Sequence, residues 1–163
     1  MSLFKTILHP TDFDEPSKKA FHVARSLAQV LGARLVAFHV VPPPAVVESD
    51  GRVILEPNTP KPVDLWPEYR RLQEETPNVP VQYAVMVGDK VTAKQMLKEQ
   101  VYALGEGVLV VMGSHFRTGI SRLLWGSIAE EVVRDMPCPV LVVKGPASVD
   151  FPPPSGLKIK VTT

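Results

Sequence analysis

The stretch whose reading decides the fold is Val108–Glu130, VLVVMGSHFRTGISRLLWGSIAE. Its first five residues, Val108 to Met112, are a short apolar run of the kind that makes a strand buried on both faces, and the run stops at Gly113. Gly113, Ser114, Gly119 and Ser121 then suit tight backbone geometry. Ser127 and Glu130 have the S-x-x-E spacing of a capping box, so a helix is predicted to begin at Ser127, with Gly126 unsuited to a helix interior just before it. About fourteen residues therefore separate strand from helix, where such connections usually take about 2–6. A long glycine-bearing loop from a buried strand to a helix N-terminus offers unpaired N–H groups and the positive end of a helix dipole, which suits a phosphate group.

Outward from this segment, the chain alternates strands and helices. Phe4–Leu8 reads as a strand ended by His9 and Pro10. Asp12 to Pro16 carry helix-start signals, the apolar positions Ala20, Val23, Ala24, Leu27, Ala28 and Leu31 keep a 3.6-residue period, and Gly32 is placed to end the helix. Leu35–Val41 is a second buried strand. Val79–Val87 alternates as an edge or half-exposed strand, followed by a helix from about Thr92 to Leu104 that buries Ala93, Met96, Leu97, Val101 and Leu104. After the capped helix from Ser127 to about Asp135, with Ile128 and Val132 inward, comes a last core strand, Val140–Val143.

Two segments break the pattern. Seven of the 17 prolines, at 42, 43, 44, 57, 60, 62 and 67, interrupt residues 42–67. Within them VVES and RVIL flank Asp50-Gly51, a dipeptide that favours a two-residue hairpin turn. A small hairpin acting as a flap and a surface loop without a role are both open readings. A short helix falls within Val63–Glu75, with Trp66 and Tyr69 facing the core. Residues 146–163, proline-rich and then strand-like in LKIKVTT, form a C-terminal extension to a domain spanning 1–145.

Composition narrows the function classes. The chain has 163 residues, 45% hydrophobic and 21% charged, as in an ordinary globular domain, and its net charge of +1 leaves no basic surplus for a nucleic-acid backbone. No apolar run is long enough to span a bilayer, so no membrane partner is expected. The single cysteine, Cys138, points to a reducing, cytoplasmic setting, and its place between Pro137 and Pro139 suits a small buried residue better than a redox centre. The four histidines, His9, His22, His39 and His115, show no ligand spacing, so no dedicated metal site is expected.

The loop's spacing resembles that of the universal stress protein family, whose nucleotide-binding members carry G-x2-G-x9-G-(S/T). The frame falls on Gly113, Phe116, Gly126 and Ser127, with Phe116 in place of the second glycine. The likeness extends to the opening, KTILHPTDFDEPSKKAFHVARSLAQVLGARLVAFHVV, and to MPCPVLVVK near the end, and so covers most of residues 3–144. The alternation of elements predicts an α/β, doubly wound parallel sheet, and the resemblance implies five strands in order 3-2-1-4-5, helices on both faces, of the Rossmann-like, adenine nucleotide alpha hydrolase-like type. Ligands in such sheets sit beyond the strand C-termini where the winding reverses. Here Pro10-Thr11-Asp12 would face Gly113-Ser114-His115.

The resemblance further implies an adenine nucleotide, ATP, with Mg or Mn carried by its phosphates. The cofactor-binding residues would be Pro10, Thr11, Asp12, Val41, Met112, Gly113, Ser114, His115, Phe116, Arg117, Gly126, Ser127 and Ile128. Asp12 would lie near the ribose or metal, the Val41 backbone at the adenine edge, and the amides around Gly113, Gly126 and Ile128, with the Ser114 and Ser127 hydroxyls, on the phosphates. Arg117 and Arg122 would add positive charge. Asp12 and Ser127 also have purely structural uses at helix starts. A phenylalanine ring at 116 either stacks on a base or plugs the cleft, and its Cβ restricts the close approach that glycine permits. Two functions follow: an ATP-binding regulatory module of the stress response, at most a weak ATPase because no Walker A sequence or convincing general base is present, or a non-nucleotide stress protein acting through dimerisation and protein partners. The short apolar strand Val140–Val143 is the expected homodimer edge by the same resemblance.

Overall fold

The computed structural model describes residues 2–42, 45–47, 49–50, 53–55, 67–74, 78–88, 92–114 and 127–144, with backbone alone at 45–47, 53–55 and 127–128. In chain order the elements are β1 (Thr6–Pro10), α1 (Glu15–Leu31), β2 (Arg34–Val41), β3 (Ala45–Val47), β4 (Val53–Leu55), α2 (Pro67–Glu74), β5 (Val81–Val87), α3 (Ala93–Leu104), β6 (Val108–Ser114), α4 (Ser127–Asp135) and β7 (Val140–Lys144). Five strands form one sheet in the order β5-β2-β1-β6-β7, and every neighbouring pair is parallel. Counted among these five, that is the order 3-2-1-4-5 expected of the doubly wound class.

Strand alternation divides the core into two layers. Ile7, Leu35, Val81 and Val111 face α1 and α2, where they meet Phe21, Ala24, Tyr69 and Leu72. Leu8, Phe38, Val110 and Met112 face the other side, with Leu97 and Val101 of α3 and Ala129 and Val132 of α4. Ile7, Leu8, Val110 and Val111 are wholly inaccessible to solvent. Each such side chain contributes about 1.5–3 kcal/mol by leaving water, and this places β1 and β6 rather than the edge strands at the centre.

Helix α1 has both of its ends written in the sequence. Asp14 is the N-cap, its carboxylate accepting from the Ser17 N–H at 2.8 Å, and Pro16 stands in the first turn. Gly32 closes the helix in the left-handed region at φ 62°, its N–H directed at the carbonyls of Ala28 and Gln29. Three expectations shift. β1 runs on through His9 and Pro10, and β6 through Gly113 and Ser114, because each strand stays paired with its outer neighbour. The antiparallel pair β3–β4 matches Val47 with Val53, leaving five residues between strands rather than a two-residue turn. Tyr69 is buried as expected, whereas Trp66 and the tail 146–163 lie outside the described residues.

Candidate functional site

The cleft begins with a missing donor. β1 and β6 pair from Thr6–Val108 to Leu8–Val110 and no further, while β1 and β2 stay paired as far as Pro10–Phe38. Thr6 N–H donates to Gly107 O at 3.1 Å, and the two-residue repeat of a parallel ladder brings the backbone nitrogen of Pro10 opposite Val111 O. Proline has no N–H to give. The His9 imidazole takes over, its Nδ1 donating to Val111 O at 2.8 Å. Burial pushes the His9 pKa down to about 4, against the opposing pull of the Val111 carbonyl and the Asp12 charge, so the ring is neutral and its Nε2 is a buried acceptor without a partner among the described residues. On the far side Thr11 N–H continues the ladder to Phe38 O at 2.8 Å. The sheet is thus split between β1 and β6 and closed between β1 and β2.

Above the split lies a cavity of about 620 Å³, within the range of small-molecule sites. Pro10 of β1, Thr11 and Asp12 just after it, and Met112, Gly113 and Ser114 from β6 form its base. Phe38 and Val40 of β2, Leu97 of α3, and Ala129 and Val132 of α4 make an apolar wall. Asp14, Pro16 and Ser17 close it from the first turn of α1, and Lys94 stands on the α3 side.

Three polar features organise this space. Ser114 is 1% exposed, and its hydroxyl has no hydrogen-bond partner among the described residues although it lines the cavity. A buried unsatisfied hydroxyl costs about 1–3 kcal/mol, so a polar ligand atom is its natural complement. Asp12 accepts from the Ser17 hydroxyl and, at 3.3 Å, from the Asp14 N–H. Partial burial pushes its carboxyl up, but those hydrogen bonds outweigh burial and hold it below the ordinary carboxylate value. Lys94 Nζ lies 2.8 Å from Glu131 and 2.9 Å from Asp135, tying α3 to α4; these hydrogen bonds raise its pKa and keep it charged.

Gly113 has a packing role that its motif position does not advertise. A Cβ there would stand 2.6 Å from the carbonyl carbon and oxygen of Pro16 and 3.0 Å from Ser17 N, so only glycine lets the first turn of α1 rest on the end of β6. That contact seats Ser17 against the end of β6, and Asp12, Ser17 and Ser114 all line the cavity.

Of the residues expected at the site, Pro10, Thr11, Asp12, Met112, Gly113 and Ser114 come together around the cavity. Val41 lies next to it: its carbonyl accepts the Gly88 N–H at 2.9 Å, and its neighbours Val40 and Pro42 do the lining. The backbone of Ser127 and Ile128 forms the first turn of α4. His115, Phe116, Arg117, Arg122 and Gly126 lie outside the described residues. Sequence reasoning missed Ser17, Phe38, Lys94 and Leu97 as cavity residues. Lys94 and Leu97 stand on helical spacing with Val101, which marks a face of α3 but not what that face encloses. Among the described residues no three histidine, cysteine or carboxylate side chains cluster as a metal site would require.

Residues 3–144 match the Universal stress protein family. The chain belongs to the universal stress protein family. A universal stress protein of Thermus aquaticus is 32% identical over 143 residues, covering 87% of this chain and all of that protein. One from Methanocaldococcus jannaschii is 30% identical over 149 residues, covering 89% and 85% of the two chains. Among solved structures, the universal stress protein UspA from Lactobacillus plantarum superposes with a TM-score of 0.59 at 21% identity, covering 86% of this chain and 97% of its own. A universal stress protein in complex with cAMP gives a TM-score of 0.60 at 20% identity, covering 88% and 98%. At these identities the solved structures establish the universal stress protein fold, and the site must be argued from this chain's own residues.

Proposed function

We propose that this universal stress protein is a regulatory module of the stress response that binds an adenine nucleotide, ATP, in the cavity over the split between β1 and β6, with slow or no hydrolysis. The observation that carries the reading is the buried Ser114 hydroxyl, unsatisfied and lining a cavity at the point where the sheet's winding reverses. The base occupies the apolar wall of Phe38, Val40 and Leu97, with the Val41 backbone at its edge. Asp12 stands near the ribose or near a Mg or Mn ion carried by the phosphates. The phosphates rest on Ser114 and on the amides at the start of α4, where the helix dipole favours an anion, with Gly113, Met112, Pro10 and Thr11 as the floor. The binding of cAMP by a relative of the same fold agrees with an adenine ligand.

The protein acts as a cytoplasmic homodimer joined through β7, an edge strand whose Leu141 is 39% exposed, and signals through further protein contacts. Among the described residues no helix is long and apolar enough to cross a membrane. The test is isothermal titration with Mg-ATP alongside thermal unfolding. At a hundredfold excess over Kd, bound ligand adds about 2.7 kcal/mol to stability. A flat titration with no change in unfolding temperature for ATP, ADP or cAMP overturns the reading in favour of a non-nucleotide stress protein, the alternative to which Phe116 in the glycine frame points.

A further inference from the structure

Phe13, next to Asp12 at the cavity rim, is the only residue other than glycine with a positive φ among the described residues, at 64°. A bulky side chain in that region is held against its own backbone preference, so surrounding contacts must fix it there. Those contacts are visible. The ring meets His39 edge-on at 4.8 Å between centroids and Tyr69 at 5.3 Å with planes 88° apart, and Tyr69 in turn stacks edge-on with Tyr83 at 4.4 Å. Phe13 N–H donates to the Thr11 hydroxyl at 3.0 Å, and His39 Nδ1 lies 2.7 Å from the Thr11 carbonyl. Both neighbours of Asp12 are therefore tied to His39 on β2, and Phe13 also to Tyr69 on α2.

We propose that Phe13 is a positioning residue of the ligand site: its ring, clamped between His39 and Tyr69, holds its own backbone at a positive φ and so fixes the turn that presents Asp12 to the cavity. The assignment rests on the nucleotide reading for the identity of the ligand but not for the geometry of the turn. Phe13 does not itself line the cavity but packs with the core layer under α1 and α2, and that layer thereby sets the carboxylate that the ligand meets. A residue at this place that only filled the core would pack equally well with Asp12 turned elsewhere.

The experiment follows the Asp12 carboxyl by carbon-13 NMR through an acid titration, and Mg-ATP affinity by calorimetry, in wild type, Phe13→Tyr, Phe13→Ala and Phe13→Gly. Phe13→Gly accepts φ 64° without strain and stays folded if Phe13→Ala does not. Loss of the ring is expected to free the turn, move the Asp12 pKa back up towards the ordinary carboxylate value and weaken ATP by about tenfold. Phe13→Tyr keeps the ring and is expected to preserve both. An Asp12 titration unchanged in the ringless variants overturns the assignment, as does a raised pKa with undiminished ATP affinity. If wild type binds no nucleotide while the Asp12 pKa rises in the ringless variants, the nucleotide reading falls and the positioning role stands.

Discussion

At Pro10 a single missing hydrogen shapes the middle of the sheet. The proline leaves Val111 O without its ladder donor, and His9 fills the place from the side chain, which lets β1 and β6 part at the base of the cavity. The neutral, fully buried imidazole that results has a consequence for pH. Its pKa is near 4 in the folded protein and 6.5 ordinarily, so between these values the unfolded chain binds more protons and stability falls as pH is lowered. The full effect is roughly 3 kcal/mol at about 1.4 kcal/mol per unit. Denaturant unfolding at pH 7, 5.5 and 4.5 should show the loss, and His9→Gln, which retains a donor for Val111 O, should show a flatter profile. Asp12 adds to acid loss only below 3.8, its carboxyl being held down, so the two windows separate. Ser114→Ala removes the unsatisfied hydroxyl. Without ligand the variant should be as stable as wild type or more so by about 1 kcal/mol, while Mg-ATP affinity drops about tenfold. Lower stability with unchanged affinity would mean that the hydroxyl serves the fold alone.

At the level of elements, α1 does two jobs at its two ends. Its first turn lies on Gly113 and carries Asp14 and Ser17 to the cavity, and its last turn ends at Gly32, which is not among the residues lining it. A Cβ at Gly32 meets nothing within 4 Å, so Gly32→Ala is penalised by backbone conformation only. We expect it to lower unfolding free energy by roughly 1–2 kcal/mol with Mg-ATP affinity unchanged, as read by denaturant melts and calorimetry. A loss of affinity in this variant would show that α1 transmits strain along its length. Helices α3 and α4 are joined at the mouth by Lys94 with Glu131 and Asp135, a partly exposed cluster that salt screens. Cys138, half-buried beside Val140 and Val142, has its thiol pushed up by burial against the hydrogen bond with Val110, which disfavours the reactive thiolate.

For the molecule as a whole, the sheet's two edges are β5 and β7. A homodimer through β7 would cover Leu141, and a charge at that position is a known way to block edge pairing. Light scattering on a sizing column should give twice the chain mass for wild type and one chain mass for Leu141→Lys, with the far-ultraviolet dichroism of the variant unchanged. A wild-type monomer would remove β7 as an interface. The fold is also expected to behave as one cooperative unit, since the two core layers share β1, β2 and β6.

Much of this architecture was legible in residue order because its determinants are local. Ser127–Asp135 matches the helix read from the cap signal, Gly32 ends α1 where expected, and the alternation of Val81 to Val87 identified an edge strand. Strand ends were harder. His9-Pro10 and Gly113-Ser114 look like terminators, yet each remains paired to an outer neighbour on one side only, and pairing partners are not a local property. The β-turn at Asp50 was placed well but not its length, which the register of β3 and β4 sets. The sequence by itself determined the doubly wound class, through apolar periodicity and caps that act within a few residues. Only the tertiary structure decided that Ser17, Lys94 and Leu97 share a cavity with Asp12 and Ser114, that Gly113 serves helix packing, and that Phe13 is clamped from the opposite face, because these depend on distances between segments that the chain brings together only when its sheet closes.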